Sequence, residues 1–308
     1  MFCAVEAVIP TAWGDKEKQM GKTREADDPF FAERLIGGFT RLVSGGTRNQ
    51  IRLSRPWQTP LPIAKETCPY CTKPQEEVDI PAIPYGWRAV SNPFTPHRRH
   101  RLVIPHACWD EEMVQTLGGG VGIIGALQAV RMVIEKDMAE GAKTEMAAFV
   151  HVGASAGQNV GHLHWHVVEV RPERPLKTRA VNYDVPSPLF VHEEHDLQVR
   201  ALGVRAGECM IVSKKVYPPK FDVHTAFDVA SIIDWIVKRG NEKWMSTQGM
   251  PPEFTVLVRI SSEGAFLYAD YCPILSMWGA MEYPLAHFEG GPITLPWPHE
   301  VTAAHLRG

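Results

Sequence analysis

The same order of predicted elements occurs twice along the chain, and this repeat constrains the fold more than any other feature of the sequence. Alternating apolar and polar residues predict strands, and apolar residues at helical spacing predict a helix between them. The first half contains strands near 87–91 and 101–104, a broken helix, and strands near 147–152 and 162–170. The second half contains strands near 198–204 and 209–213, a helix at 225–239, and strands near 254–260 and 265–272. We therefore predict an α+β fold, built from two antiparallel-sheet-plus-helix halves related by internal duplication.

Capping and breaking residues set the predicted helix ends. Asp110 can cap the helical region of the first half, and the glycines at 118–120 interrupt that region. In the second half, Gly240 follows Lys238 and Arg239 and predicts the end of the helix.

The length of the chain favours two domains. Single cores stop growing at about 250–300 residues, and this chain has 308. Residues 12–30 are polar and without periodicity, so we expect a mobile N-terminal arm over residues 1–30. The duplication then predicts a catalytic domain over 31–180 and a second domain over 181–308, with the boundary near 177–188.

Composition narrows the expected partners. The formal net charge of −3 argues against a nucleic-acid binder, which usually carries a basic face. No apolar stretch approaches the length that crosses a bilayer, so we expect a cytoplasmic protein without a membrane partner. A small anionic ligand fits this composition better, and a homodimer is compatible with it.

Three histidines alternate with apolar residues near the centre of the chain. His162, His164 and His166 are separated by Leu163 and Trp165. Because side chains alternate between the faces of a strand, a strand over this segment would project all three imidazoles to one side. A chance cluster or a three-histidine metal site is the alternative, but neither explains the glycine-rich loop that precedes the histidines.

The loop at 153–161 can bind an anion. Its small residues allow backbone N–H groups to turn toward a phosphate, and an adjacent imidazole would then face phosphorus as a nucleophile. We take Gly157, Gln158 and Asn159 as candidate phosphate-binding residues.

The segment GQNVGHLHWHVV at 157–168 resembles the signature of the histidine-triad (HIT) superfamily. That signature alternates three histidines with apolar residues after a G-Q-(S/T) stretch. The resemblance implies that the middle histidine, His164, is the nucleophile. It also implies that Asn159 occupies the position of the phosphate-contacting Ser or Thr.

The segment at 89–105 extends this resemblance. It is similar to the family segment in which an Asn or Asp binds the ribose hydroxyls and a His precedes the second strand, which implies these roles for Asn92 and His100. Asn before Pro is also a common turn, and an exposed His is often without function. The arginines at 98, 99 and 101 could pair with phosphates, although runs of arginine are usually solvated.

Within the superfamily, the chain resembles the galactose-1-phosphate uridylyltransferase (GalT-like) branch, whose members have a duplicated two-domain fold. The resemblance rests on LSRPWQ at 53–58, CPYC at 68–71, and the segment from 278 to 307. It implies that the second half is degenerate, with Phe266, Tyr268 and Asp270 at the triad positions.

Two departures from that branch concern the chemistry. The transferases have Gln at the position of His166 and Asn at the position of His151. Because the Gln helps to hold the nucleotidylated intermediate, His166 brings the site closer to the hydrolases and some phosphorylases. With His164 and His100, His166 completes the candidate catalytic set.

The CxxC pair of Cys68 and Cys71 predicts a structural zinc site, which requires four ligands. The resemblance supplies His162 as the third ligand and a residue after the Val-Ile-Pro strand as the fourth. Counting from Pro105 by the hydrolase spacing selects Cys108, whereas counting back from Glu112 by the transferase spacing selects His106, so both stay open. A redox pair or a chance pair of cysteines is the alternative.

These inferences predict a nucleotidyltransferase that acts on a nucleotide sugar or dinucleotide through a covalent nucleotidyl-histidine intermediate. The acceptor would be phosphate or a sugar phosphate, as in hexose-1-phosphate uridylyltransferases and nucleotide phosphorylases. The alternative is a HIT-type phosphohydrolase that releases a nucleoside monophosphate. An inert nucleotide-binding protein is a third hypothesis.

Overall fold

A computed structural model of the protein describes most of the chain from residue 68 onward. It describes residues 68–72, 75–81, 83, 85–92, 99–153, 156, 158, 160–170, 190–201, 207–215, 217–249, 251–274 and 299–307, and the backbone of 30–36 and 39–44. The predicted arm, the domain boundary near 177–188, and the segments 53–58 and 278–298 lie outside these residues. The proposed domain limits therefore stay predictions.

The chain divides into two compact units, Met1–Pro56 with Pro93–Arg98 and Trp57–Asn92 with Arg99–Gly308. In the first unit, strands β1 (Phe30–Ile36) and β2 (Phe39–Ser44) form an antiparallel pair. All elements described below belong to the second unit.

The second unit contains a nine-stranded sheet in which every neighbouring pair is antiparallel. Its strands in chain order are β3 (Trp87–Ser91), β4 (His100–Pro105), β5 (Met146–Val152), β6 (Trp165–Glu169), β7 (Phe190–Glu194), β8 (Leu197–Arg200), β9 (Cys209–Ser213), β10 (Glu253–Ile260) and β11 (Phe266–Ile274). Their spatial order is β3-β4-β6-β5-β10-β11-β9-β8-β7.

The strand order confirms the duplicated α+β fold. From the outer edge toward the centre of the sheet, the first half runs β3-β4-β6-β5 and the second half runs β8-β9-β11-β10, with β7 added outside β8. The halves meet where β5 pairs with β10, and Phe149 lies opposite Leu257 at that seam.

Helices accompany both halves. They are α1 (Pro69–Thr72), α2 (Glu111–Gln115), α3 (Gly119–Ala139), α4 (Val223–Gln248) and α5 (His299–Arg307). The predicted break between α2 and α3 is confirmed. So is the Asp110 cap, because its side chain accepts a 2.8 Å hydrogen bond from the backbone N–H of Met113.

The predicted end of the second-half helix at Gly240 is wrong. Helix α4 continues to Gln248 and ends at Gly249, which has a left-handed φ of 76° and donates its N–H to the carbonyl of Met245. Gly240 serves packing instead, since a Cβ at this position would lie 2.5 Å from the hydroxyl oxygen of Tyr271. The sequence cannot distinguish a packing glycine from a stop signal by composition alone.

Several other element limits differ from the sequence prediction. Strand β6 begins at Trp165 rather than residue 162, so His162 and His164 precede it. The strand predicted at 198–204 corresponds to β8, and residues 202–206 lie outside the described residues. Strand β7 and helix α5 were not predicted.

Helices α3 and α4 pack on one face of the sheet and bury the main hydrophobic core. Alternate residues of the central strands, such as Ala148 and Val150 of β5, face this core, together with Val256 and Val258 of β10. Phe149, His151 and Thr255 occupy the intervening positions and therefore lie on the opposite face, away from α3 and α4. Among the described helices, none is both long and apolar enough to cross a membrane.

Candidate active site

His164 lies just before β6 with only 5% of its surface exposed. Its Nδ1 is 2.8 Å from the backbone carbonyl oxygen of His162. Because a carbonyl oxygen only accepts hydrogen bonds, Nδ1 must carry the proton. In the neutral ring, Nε2 therefore carries the lone pair that a nucleophile requires.

His166, His100 and Asn92 form a hydrogen-bonded chain beside His164. Nδ1 of His166 is 2.8 Å from Nε2 of His100, and Nδ1 of His100 is 3.3 Å from the amide nitrogen of Asn92. Asn92 is 7% exposed. The structure thus brings together four of the candidate catalytic and nucleotide-binding residues across β3, β4 and β6.

Aromatic contacts hold the two histidines. Phe149 stacks on His166 with ring centroids 4.7 Å apart and an interplanar angle of 15°. The rings of His164 and His166 are 4.8 Å apart at 68°. Tyr70 of α1 lies 6.0 Å from the His164 ring and 5.3 Å from the His162 ring. The positions of both imidazoles are therefore restricted by packing as well as by hydrogen bonds.

His151 is a fifth polar side chain near this cluster. It is not among the site residues predicted from the sequence. Its ring centroid is 6.1 Å from that of His166, and its Nδ1 is 2.9 Å from the hydroxyl oxygen of Thr255 in β10. Burial lowers the pKa of His151 below its usual value. The alternation of Phe149 and His151 in a predicted strand could have indicated this position, whereas no local signal indicates Thr255.

The glycine-rich loop is described only in part, and Gly157 and Asn159 lie outside the described residues. The Gln158 side chain accepts a 2.8 Å hydrogen bond from the Gly153 N–H and donates a 3.0 Å bond to the Val160 carbonyl. Its backbone N–H donates to the Gly153 carbonyl. Gln158 therefore closes the loop, and phosphate contact by these three residues stays a prediction.

Arg99 and Arg101, considered as phosphate ligands, form ion pairs elsewhere. Both guanidinium groups lie within 4 Å of the fully buried carboxylate of Asp137 in α3, and Arg99 also pairs with Glu169. These contacts tie β4 to the helix layer, on the side of the sheet away from His100. They give both arginines a structural role.

Four predicted metal ligands converge beside His164. Cys68, Cys71, Cys108 and His162 place their ligand atoms within 4.8 Å of one another. Nδ1 of His162 is 3.4 Å from the Cys68 sulfur, 3.6 Å from that of Cys71 and 3.3 Å from that of Cys108. His106 is exposed and is not part of this cluster. The structure thus selects Cys108 from the two residues that spacing left open.

The cluster fits a tetrahedral zinc ion. Zinc bonds of about 2.3 Å to sulfur and about 2.0–2.1 Å to nitrogen give ligand–ligand separations of about 3.4–3.8 Å in a tetrahedron, close to the separations observed. Burial and the neighbouring Cys68 and Cys71 thiols raise the pKa of Cys108 to about 12. A bound cation would remove this penalty, because it stabilises thiolates that otherwise repel one another.

His162 links the cluster to the candidate nucleophile. Its Nε2 donates a 3.0 Å hydrogen bond to the Pro105 carbonyl, which leaves Nδ1 for the metal. Burial lowers the pKa of His162, which favours the neutral ring that binds a metal. Its backbone carbonyl holds Nδ1 of His164. One residue therefore contributes to both sites.

The second half has different side chains at the corresponding positions. His166 lies opposite Phe149 and Leu102, and Asp270 lies opposite Leu257 and Met210. Because Phe149 and Leu257 face each other at the seam, Asp270 corresponds to His166. Tyr268, two residues earlier, then corresponds to His164. The register thus agrees with the degenerate triad implied by the resemblance.

Comparison with known families agrees with this geometry. A profile of the HIT domain matches residues 89–173, which include Asn92, His100 and the three histidines. This part of the chain is similar to the HIT domain. A search of curated proteins finds no match for the chain.

Solved structures show that the whole fold is GalT-like. An ADP-glucose phosphorylase from Arabidopsis thaliana, solved with bound ADP-glucose, matches with a TM-score of 0.60 and 18% identity over 83% of this chain and 92% of that one. A GalT-like protein from Arabidopsis thaliana matches with a TM-score of 0.60 and 17% identity over 78% of this chain and 90% of that one. A uridylyltransferase matches with a TM-score of 0.58 and 14% identity over 82% of this chain and 93% of that one. At these identities the likeness establishes the fold.

Proposed function

We propose that this protein is a nucleotidyltransferase that transfers a nucleoside monophosphate from a nucleotide sugar or dinucleotide through a covalent intermediate on His164. The observation that carries the proposal is the bond from His164 Nδ1 to the His162 carbonyl, because it makes Nε2 the nucleophilic nitrogen. The GalT-like fold supports the substrate class, since one neighbour was solved with a bound nucleotide sugar.

In the first step, Nε2 of His164 attacks the α-phosphorus and forms a P–N bond. The bond between this phosphorus and the bridging oxygen breaks, and its electron pair leaves with a sugar 1-phosphate or a nucleotide. The carbonyl of His162 stabilises the positive charge that develops on the imidazole. Asn92 is the candidate for binding the ribose hydroxyls.

The Asn92–His100–His166 chain supplies the electrostatic part of this step. The amide nitrogen of Asn92 donates to Nδ1 of His100, so that a neutral His100 carries its proton on Nε2. That proton is donated to Nδ1 of His166. His166 then carries its own proton on Nε2, where it can donate to a non-bridging phosphate oxygen.

In the second step, an acceptor displaces His164 from phosphorus and regenerates the imidazole. We assign phosphate or a sugar phosphate as the acceptor, because a second half can wall the site and limit access of water. His166 in place of the transferase Gln favours hydrolysis instead. A phosphohydrolase is therefore the second candidate, and it differs only in the acceptor.

The metal cluster has a structural role in this proposal. Cys68, Cys71, Cys108 and His162 would hold one zinc ion, which contributes folding free energy and fixes the segment before β6. This site is linked to the chemistry through the backbone carbonyl of His162, which orients His164.

A transfer experiment tests the function. The protein is incubated with radiolabelled nucleotide sugars and dinucleoside polyphosphates, and the trapped labelled protein is chased with water, inorganic phosphate or hexose 1-phosphate. We expect labelled protein and faster discharge by at least one phosphate acceptor than by water. Equal discharge by water and every phosphate acceptor would establish the hydrolase, and no labelled protein with any donor would contradict both.

A further inference from the structure

The seam between β5 and β10 lies beside the candidate active site. Thr255 of β10 pairs with His151 of β5 in the sheet register, and the Thr255 hydroxyl oxygen is 2.9 Å from Nδ1 of His151. This hydrogen bond joins a side chain of the degenerate half to a histidine of the catalytic half. The second half therefore contributes directly to the surroundings of the site.

His151 occupies a position from which it can reach a phosphate. Phe149 and His151 share the face of β5 that points away from α3 and α4, and their ring centroids are 5.3 Å apart. The centroid of His151 is 6.1 Å from that of His166. Two rings at this separation can each donate a hydrogen bond of about 2.8 Å to one of two neighbouring phosphates.

Both half-reactions require a second phosphate next to the one transferred. The leaving group of the first step and the acceptor of the second step each carry a phosphate. These two phosphates occupy the same position in turn, opposite Nε2 of His164. His166 and His100 lie on the β4 side of the site, whereas His151 lies on the β10 side. A donor on the β10 side is thus suited to this second phosphate.

The proton position on His151 depends on Thr255. Burial lowers the pKa of His151, so the ring is neutral at pH 7 and has a single N–H. A threonine hydroxyl can donate or accept. When it donates to Nδ1, the imidazole proton lies on Nε2, which is then a hydrogen-bond donor.

We propose that Thr255 is a positioning residue for the acceptor phosphate: its hydroxyl donates to Nδ1 of His151, and His151 then donates from Nε2 to inorganic phosphate or a phosphate monoester. The kinetic part of this inference rests on the proposed function. Water lacks the recognised phosphate, so this pair favours transfer over hydrolysis at the same site.

Two substitutions at Thr255 separate the hydroxyl from the side-chain volume. Thr255→Val keeps the shape and the strand preference but removes the hydroxyl, whereas Thr255→Ser retains it. Thr302→Val is the matched control, because Thr302 is 1% exposed in the second half and its hydroxyl accepts from the Gly207 N–H. Thr255→Ala replaces Thr255→Val if the latter fails to fold.

The kinetic readout is discharge of the labelled intermediate. We expect Thr255→Val to slow discharge by inorganic phosphate about tenfold, the effect of about one lost hydrogen bond, while discharge by water is unchanged. Thr255→Ser should stay within about twofold of the wild type, and Thr302→Val should behave as wild type. An unchanged ratio of phosphate to water discharge in Thr255→Val would overturn the proposal.

A spectroscopic readout keeps this test separate from the proposed function. Imidazole ¹⁵N shifts of His151 report which nitrogen carries the proton, with inorganic phosphate as the probe. We expect the Nε2–H tautomer and a phosphate-dependent Nε2 shift in the wild type and Thr255→Ser, and loss of both in Thr255→Val. A proton on Nδ1 of His151 in the wild type would overturn the proposal even if His164 is nucleotidylated. Absence of the His164 intermediate would overturn the proposed function while this readout still decides the role of Thr255.

Discussion

The two halves of the sheet share their strand order but differ in the side chains on the face that points away from α3 and α4. His164 and His166 in the first half correspond to Tyr268 and Asp270 in the second. A neutral imidazole can attack phosphorus and leave again, and the second half has no imidazole at either of these positions. The fold is thus maintained by the helix-covered face, and the chemistry depends on the other face.

Both helix-covered faces include a close contact at a glycine. In each half, a helix glycine allows close packing on an aromatic ring of the sheet. A Cβ at Gly125 of α3 would lie 2.7 Å from the Trp87 ring, and a Cβ at Gly240 of α4 would lie 2.5 Å from the Tyr271 hydroxyl oxygen. The two rings lie on non-equivalent strands, β3 and β11, so each half achieves close helix–sheet packing with its own residues.

The largest expected effect comes from matched changes at the two triad positions. His164→Ala should lower turnover by about 10³-fold or more, because it removes the nucleophile. Tyr268→Phe should leave turnover within about twofold, since it removes only a hydroxyl from the degenerate half. Steady-state kinetics with circular dichroism as the folding control measures both. Substantial activity in folded His164→Ala would break the distinction between the halves.

The metal cluster belongs to the first half, and its loss should affect stability more than any change in the second. Cys68→Ser or Cys108→Ser should abolish binding of about one zinc ion per chain. A loss of about 5 kcal/mol would lower Tm by about 10 °C or more in a chain of this size. Metal analysis and calorimetry are the measurements.

Cys272→Ser is the matched control for the cluster, because Cys272 is a half-buried thiol in the second half. It should retain the zinc and melt within a few degrees of the wild type. Full zinc occupancy in Cys108→Ser would exclude Cys108 as a ligand and would leave His106 as the candidate.

The two packing glycines should be equally sensitive, in contrast to the triad positions. Gly125→Ala and Gly240→Ala each introduce a methyl group into a contact below 3 Å, and overpacking of this kind costs about 1–3 kcal/mol. Chemical denaturation should give losses of similar size in both halves. A neutral or stabilising Gly240→Ala would show that the contact with Tyr271 does not require a glycine at this position.

The smallest expected effect concerns the caps, and it depends on pH. The carboxylate of Asp222 accepts a 2.9 Å bond from the Thr225 N–H at the start of α4, and this bond lowers the pKa of Asp222. Its stabilisation is present at neutral pH and is lost as pH falls through the lowered pKa. Asp222→Ala should cost about 1 kcal/mol at pH 7, and denaturation at pH 7 and below pH 3 should show the difference disappear.

Asp110→Ala provides the comparison in the first half. Asp110 caps only the five-residue helix α2, so its removal should cost less than that of Asp222. A larger loss at Asp110 would indicate that the α2 segment stabilises the neighbouring Cys108.

Local patterns predicted the duplicated fold well, because alternation and helical spacing are properties of short segments. Strand β3 and strand β9 have the predicted limits. The prediction that the helix ends at Gly240 is wrong because this glycine is required by a distant residue, Tyr271. Similarly, His106 and Cys108 are only two residues apart, and the path of the chain after β4 decides which of them meets His162.

Site residues in the matched family segment could be predicted from the sequence, whereas contacts between the halves could not. The motif at 157–168 and the segment at 89–105 predict the cluster of His164, His166, His100 and Asn92. Thr255 lies more than 80 residues from the triad, and only the pairing of β5 with β10 brings it to His151. No local pattern in a sequence specifies that pairing.

The most direct test of the account is the position of the covalent adduct. The protein is incubated with a panel of nucleotide sugars and dinucleoside polyphosphates, then digested and analysed by mass spectrometry under conditions that preserve a P–N bond. We expect one nucleoside monophosphate on the peptide that contains the triad, attached at His164 and absent from His164→Ala. An adduct on another residue, or active turnover of a donor without any adduct, would contradict nucleotidyl transfer through His164.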